Sequence, residues 1–187
     1  MRSPNYFVVK PYNDSAYNST KEISGVDVVM SSGIEDHLYV NRHAVIQSTP
    51  DWYKGDMRTG DIAIVHHNVF RVYYDMKGNK VNSWNYFKDN IYLLDQTQIY
   101  MFKHGEDGVW ITEDPYCFVS PIDKIDDKTV SRTGIYESNF GTVEYAPIGS
   151  EFSSGDKVYF GRDMEYEFDI DGRKMYRMRT SDICLKI

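Results

Sequence analysis

The sequence predicts an all-β protein built from two tandem small β-barrels, and three observations support that fold class. Aromatic residues make up 15% of the 187 residues, and flat rings pack well on the half-buried surface of a pleated sheet. Apolar residues alternate with a period of two in several segments, whereas none keeps helical spacing beyond about two turns. Four short segments of the first half recur, in the same order, in the second half.

The recurring segments define two copies of one unit. Each pair alone is weak evidence, but the four pairs keep their order, and the offset between partners shrinks steadily along the chain. We expect the first copy to be longer in its first loop and again after its turn, because loops tolerate insertions at low cost. The pairs are 6–11 with 116–121, 60–65 with 155–160, 75–78 with 169–172, and 98–103 with 182–187.

The second copy contains a predicted β-hairpin. Tyr166, Phe168 and Ile170 alternate with acidic residues, so one face of this strand should be buried. Asp171-Gly172 follows, and a second strand-like segment covers 174–178. Two strands joined by Asp-Gly indicate a tight hairpin, since the primed turns require positive φ angles.

The repeat sets the expected domain boundaries. Residues 1–103 should form the first barrel, with a long loop over 12–42, and residues 115–187 the second barrel. Residues 104–114 are polar and contain two glycines, which is typical of a linker. Because this linker is short, we expect the two barrels to pack side by side.

Charge and composition exclude several classes of partner. The net charge is −7 and no basic stripe is present, so we expect neither nucleic acid nor an anionic membrane as partner. No segment approaches the roughly 20 apolar residues of a membrane span, and the first ten residues lack a secretory pattern. The sequence therefore predicts a cytoplasmic protein. Cys117 and Cys184 are far apart in sequence and are expected to be reduced, small apolar residues.

The sequence shows no motif for catalysis, for a cofactor or for a metal ion. His66 and His67 are adjacent, so on a strand they would point to opposite faces and could not easily share a metal. No nucleophile elbow, phosphate-binding loop or zinc-protease motif is present. Trp52, Trp84 and Trp110 could be core residues or interface anchors, and the core is the more common fate of tryptophan. We therefore expect a protein that binds and does not catalyse.

The second copy resembles the GroES-like co-chaperonin family from Tyr116 to Ile187, and the first copy matches more loosely over Tyr6 to Lys103. The resemblance implies a tandem GroES-like small β-barrel in each half. Only five residues separate Gly149 from Gly155, so the roof hairpin of that family should be missing. The segments that carry the resemblance are Val119-Ser120-Pro121 at the end of the first strand, Gly141 to Gly149, Gly155-Asp156-Lys157-Val158-Tyr159-Phe160, and Ser181 to Ile187.

The resemblance also implies a binding mode. Family members place a short apolar segment, carried on the loop after the first strand, into a groove of a GroEL-like chaperonin, and they act as rings. In the second copy, Gly134, Ile135 and Tyr136 occupy the matching place. In the first copy, the best candidates are Val26, Val28 and Val29 within 25–30. Apolar residues inside a polar loop have little reason to be exposed unless they dock, although they could also be short strands packed on their own barrel.

The implied function is a homo-oligomeric ring, encoded by a phage, that caps a chaperonin and assists protein folding. The alternative is a phage virion or assembly component that reuses the same barrels as rigid interfaces. The high tyrosine content suits such an interface role.

Overall fold

A computed structural model describes residues 2–17, 20–23, 26–29, 39–123, 136–162, 164 and 166–187. The chain divides into two compact units, residues 1–110 and 111–187. Within the described residues, the fold is all-β, as predicted, and the helical segments are single 3-10 turns such as Gln96–Gln98 and Thr180–Asp182. No helix in this part of the chain is long and apolar enough to cross a membrane.

The described residues of the first unit form ten strands. Six of them form an antiparallel sheet in the order β8-β9-β1-β4-β5-β10, while β2 with β3 and β6 with β7 form separate hairpins. The strands are β1 (Phe7–Pro11), β2 (Thr20–Ile23), β3 (Val26–Val29), β4 (His43–Ser48), β5 (Ile62–Val65), β6 (Val72–Tyr74), β7 (Lys80–Asn82), β8 (Tyr86–Lys88), β9 (Ile91–Leu94) and β10 (Ile99–Lys103).

The second unit begins with the short strand β11 (Ile111–Thr112) and continues with a six-stranded antiparallel sheet in the order β15-β16-β12-β13-β14-β17. The order is the same in both units, because β12, β13, β14, β15, β16 and β17 take the places of β1, β4, β5, β8, β9 and β10. The strands are β12 (Tyr116–Asp123), β13 (Tyr136–Tyr145), β14 (Lys157–Phe160), β15 (Tyr166–Ile170), β16 (Arg173–Arg179) and β17 (Ile183–Lys186).

The two sheets also share two register shifts. The pairing of β1 with β4 shifts after Val8, and the pairing of β12 with β13 shifts after the equivalent residue, Phe118. The pairing of β10 with β5 shifts after Ile99, and that of β17 with β14 shifts after the equivalent Ile183. Because a β-bulge bends its strand and increases the local twist, both sheets bend at the same points.

The Gly-Asp pairs before β5 and β14 form the same tight turn, as the sequence predicted for turn residues. Gly60 and Gly155 have φ angles of +94° and +93°, which glycine adopts without strain. The carboxylate of Asp61 accepts the N–H of Arg58 at 2.7 Å, and that of Asp156 accepts the N–H of Ser153 at 2.8 Å. The aspartate in each pair therefore has a structural role.

One predicted match between the copies is wrong. Strand order equates the turn at Asp171-Gly172 with Asp89-Asn90, between β8 and β9, where both residues also have positive φ angles. The turn at 75–78 instead joins β6 to β7, a hairpin within residues 66–85. The second unit spans the same connection with residues 161–165. The extra length of the first copy therefore lies before the equivalent hairpin, not after it.

The predicted hairpin of the second unit is confirmed. β15 pairs with β16 in antiparallel register from Tyr166 with Arg177 to Ile170 with Arg173. Phe168 and Ile170 are buried, whereas the acidic residues between them are exposed. The connection between β13 and β14, residues 146–156, contains no strand, which agrees with the expected lack of a roof hairpin.

The first strand of each unit is buried on both faces. Phe7, Val8 and Val9 are fully buried, and the ring of Phe7 packs edge-on against Tyr53 at 5.0 Å. In the second unit, Cys117 and Val119 pack into one apolar cluster, while Phe118 between them meets Phe168 at 5.8 Å. Each sheet therefore has apolar layers on both sides of its central strand. Neither strand order returns to its starting strand, so the described sheets are open and the closed barrels stay a prediction.

Candidate functional site

The predicted binding residues of the first unit form one strand of a hairpin. Val26, Val28 and Val29 lie in β3, which pairs with β2 in antiparallel register from Thr20 with Val29 to Ile23 with Val26. This hairpin is a two-stranded sheet separate from the larger one. The connection between β1 and β4 thus presents extended backbone at the place where the sequence predicted an apolar binding segment.

The base of that connection is firmly held. Tyr17 forms an isolated antiparallel bridge with Val40. The buried amide of Asn41 donates to the carbonyl oxygens of Tyr12 at 2.9 Å and Ser15 at 2.8 Å, and its oxygen accepts the N–H of His43 at 2.9 Å. Since a buried amide that makes three hydrogen bonds strongly favours one geometry, the point at which the connection leaves the sheet is fixed.

The predicted binding residues of the second unit lie only partly within the described chain. Gly134 and Ile135 fall outside the described residues. Tyr136 is the first residue of β13, and its backbone pairs with Asp123 at the end of β12. In each unit, therefore, a connecting segment joins the first strand to the next strand of the larger sheet, β1 to β4 in the first unit and β12 to β13 in the second. The structure brings Val26, Val28 and Val29 together on one strand.

The second feature is a cleft of about 370 Å³ in the first unit, which the sequence analysis did not anticipate. Residues 66–85, the segment that replaces the short connection of the second unit, supply most of its walls. The residues that line the cleft include Asn68, Arg71, Tyr73, Trp84, Asn85 and Gln98.

The three tryptophans differ in burial, and one of the three lies in the core. Trp110 is buried, and the Nζ of Lys103 lies 4.8 Å from the centroid of its ring. Trp52 is about half exposed, and Trp84 is 98% exposed at the cleft. The core prediction is therefore wrong for Trp84, because the inserted segment holds this residue outside the apolar layers of the sheet. The sequence offered one indication of this exposure, because Trp84 lies between the polar residues Ser83 and Asn85.

His66 and His67 follow the end of β5, and their rings stack with centroids 4.3 Å apart, so the predicted strand geometry with opposite orientations is wrong. Within the described ranges, no group of three or more His, Cys, Asp or Glu side chains could hold a metal ion. Burial raises the pKa of the Cys117 thiol to about 12, with a smaller contribution from Asp182, so this thiol stays protonated.

No protein-family model and no curated protein matches this chain.

Proposed function

We propose that this chain is a co-chaperonin-like binding protein that docks on a chaperonin through the extensions after the first strand of each unit. The observation that carries the proposal is the shared architecture of the two units. Both have the same strand order and the same bulges, and both place an extension between the first strand and the one that follows it in the larger sheet. A repeated scaffold with a connecting segment at the same place in both units suits bivalent docking, in which two weak contacts add avidity.

The reach of the chain supports a curled, barrel-like sheet in the second unit. β14 and β15 are four strand spacings apart in the strand order, which is about 19 Å in a flat sheet. Residues 161–165 alone join them, and even a fully extended chain of this length covers only about 20 Å. The N–H of Gly161 is also held by the carbonyl oxygen of Asp182 at 3.1 Å, which shortens the available reach. A flat sheet would thus require this connection to be almost fully extended, whereas a sheet whose two sides curl toward each other shortens the distance that it must span.

The resemblance to GroES-like proteins supplies the docking residues. Ile135 and Tyr136 in the second unit, and Val26, Val28 and Val29 in the first, are the proposed contacts with the apolar groove of the chaperonin. Burying such side chains on a partner stabilises a complex by about 25 cal/mol for each Å² of apolar surface removed from water. In this proposal the protein acts as a homo-oligomeric ring in the cytoplasm of the cell that makes it, and it performs no catalysis.

The test is binding to a purified bacterial chaperonin in the presence of nucleotide, followed by pull-down and by ATP hydrolysis. We expect the wild-type chain to bind and to slow hydrolysis, and we expect the double variant Ile135→Asp/Tyr136→Asp to lose most of the binding. Ile148→Asp is the matched control, since Ile148 is highly exposed on a different connection of the same unit. If the wild-type chain neither binds nor slows hydrolysis, the proposal fails.

Native mass gives an independent measurement. A ring of three or four chains would support a cap, because the expected cap contains two units per chain, whereas a monomer at micromolar concentration would contradict it. The measurement requires native mass spectrometry or light scattering on the full chain.

A second function, a structural component of an assembly, is favoured by the strand at one end of the second sheet. β17 pairs with β14 and ends the strand order, and Leu185 on it is 61% exposed. An edge strand with exposed apolar side chains is a template for pairing with another chain. If Leu185→Lys lowers the native mass while no chaperonin is bound by the wild-type chain, the assembly role replaces the co-chaperonin role.

A further inference from the structure

The cleft of the first unit is an addition that the fold does not need. The second unit forms the same six-stranded order with residues 161–165 in place of residues 66–85. Most of the residues that line the cleft therefore belong to a segment that the six-stranded order does not require. An insertion on a repeated scaffold is a common carrier of a separate function.

Arg71 gives the cleft an uncompensated positive charge. Its Nε atom is buried and has no hydrogen-bond partner, and no carboxylate of the described residues forms an ion pair with this guanidinium. The chain has 28 acidic and 21 basic side chains, so an arginine left unpaired is notable in this acidic protein. A guanidinium offers two parallel N–H groups in one plane, which match the two oxygens of a carboxylate.

Trp84 borders the same cleft. The residue is 98% exposed, so its ring does not fill the core of the unit and is open to contact by a ligand. A flat aromatic face in a cleft accepts the apolar C–H face of a ring-shaped ligand, while the polar edge of that ligand stays free for hydrogen bonds.

Two amides form a rigid polar wall. The Nδ2 of Asn85 donates to the carbonyl oxygen of Leu93 and to the Oε1 of Gln98, both at 2.8 Å, and the Nε2 of Gln98 donates back to the Oδ1 of Asn85 at 3.3 Å. These bonds fix both amides and leave one N–H of Gln98 and one lone pair of Asn85 for a ligand. A donor next to an acceptor suits a hydroxyl group, which can both accept and donate.

We propose that this cleft binds an acidic sugar residue, with its carboxylate on Arg71, its ring face on Trp84, and its hydroxyls on the amides of Gln98 and Asn68. A volume of about 370 Å³ is at the small end of ligand sites and accommodates one such residue. The single positive charge suits one carboxylate, whereas the net charge of −7 disfavours longer polyanions. This site is independent of the proposed docking on a chaperonin.

The test is titration of the full-length protein with glucuronate, with glucose as the uncharged control and adenosine monophosphate as the phosphate-bearing control. Binding is followed by ¹H–¹⁵N chemical shifts, which report on the backbone around the cleft. We expect saturable shifts for glucuronate at millimolar concentration and affinity about tenfold weaker for glucose, which corresponds to one charge-assisted contact.

Two variants and one control make the test specific. Arg71→Gln should abolish the preference for glucuronate over glucose, and Trp84→Ala should weaken the binding of both sugars. Arg173→Gln, which removes an exposed arginine of the second unit, should change neither affinity. Thermal unfolding of each variant shows whether the fold is retained, and the exposed Trp84 should be replaceable without loss of stability.

Three results would overturn the proposal. These are no saturable shift with glucuronate, equal affinity for glucose and glucuronate, and saturable binding of adenosine monophosphate with none of glucuronate. The last result would identify the cleft as a nucleotide site, in which Arg71 holds a phosphate and Trp84 stacks on a base.

Discussion

Replacing Gly141 with alanine tests the close packing at the centre of the second sheet. Gly141 lies in β13, where its backbone pairs with Pro121 on one side and Val158 on the other. An added Cβ would overlap Val119 Cγ1 and would lie 2.7 Å from the carbonyl oxygen of Ser120. Val119 is fully buried, and the oxygen belongs to the neighbouring strand, so neither can move away without disturbing the sheet.

Two opposing effects set the magnitude. A glycine inside a strand costs about 0.5–1 kcal/mol relative to alanine, so without a clash the substitution would stabilise the unit by that amount. Overpacking a filled core costs about 1–3 kcal/mol. We therefore expect Gly141→Ala to lower the free energy of unfolding by about 1–2 kcal/mol.

The first unit supplies the matched control. Ala44 pairs with Pro11 as Gly141 pairs with Pro121, and its side chain is fully buried. Ala44→Gly should also destabilise, by about 0.5–1 kcal/mol, because the first unit accommodates the methyl group that the second excludes.

The chain carries its own reporters for this experiment. All three tryptophans, at positions 52, 84 and 110, belong to the first unit, whereas Cys117 is buried in the second. Urea titrations read by tryptophan fluorescence and by thiol labelling of Cys117 therefore follow the two units separately. If Gly141→Ala leaves the urea concentration that exposes Cys117 unchanged, or raises it, the packing argument is refuted.

Three further predictions concern the second unit. Phe168→Ala should cost about 3–5 kcal/mol in urea unfolding, because the ring is fully buried; Phe168→Leu should cost much less, and equal costs would contradict the cavity argument. Cys184 is exposed and should react with a thiol reagent in the folded protein. Cys117 should react only on unfolding, because burial raises the pKa of its thiol to about 12. Rapid labelling of both cysteines in the folded protein would contradict this prediction. The hydrogen bond from Lys186 lowers the pKa of Asp156 in the folded protein. The stabilisation that this ion pair supplies should therefore be present above the pKa of an unfolded aspartate, about 4, and be lost as the pH falls further. Lys186→Met should raise the pKa of Asp156 in an NMR titration, and an unchanged pKa would refute the pairing.

The features that the sequence predicted well are those with a local physical cause. The alternation at Phe168 and Ile170 directly reflects which face of a strand meets the core, and Asp171-Gly172 reflects a turn that needs positive φ angles. Such signals need only neighbouring residues, so a single sequence carries them.

The features that the sequence did not predict depend on distant residues. Asp75 and Asp171 belong to similar turns, but only the pairing of whole strands shows that they are not equivalent. Trp84 is exposed because an inserted segment carries it, and the buried Nε of Arg71 has no hydrogen-bond partner among the described residues. The sugar cleft was therefore not visible in the sequence, while the proposed docking residues came only from the resemblance.

The shared strand order of the two units has a consequence for folding. During folding, β1 of one unit and β12 of the other are both candidates to pair with either β4 or β13, since the four strands occupy equivalent places and carry the same bulge. Misassembly between similar neighbouring domains is a characteristic failure of tandem repeats. The crowded position holds Gly141 in the second unit and Ala44 in the first. A swapped pairing of β12 with β4 would therefore place the Ala44 methyl group against Val119, where the second unit leaves no room for a Cβ.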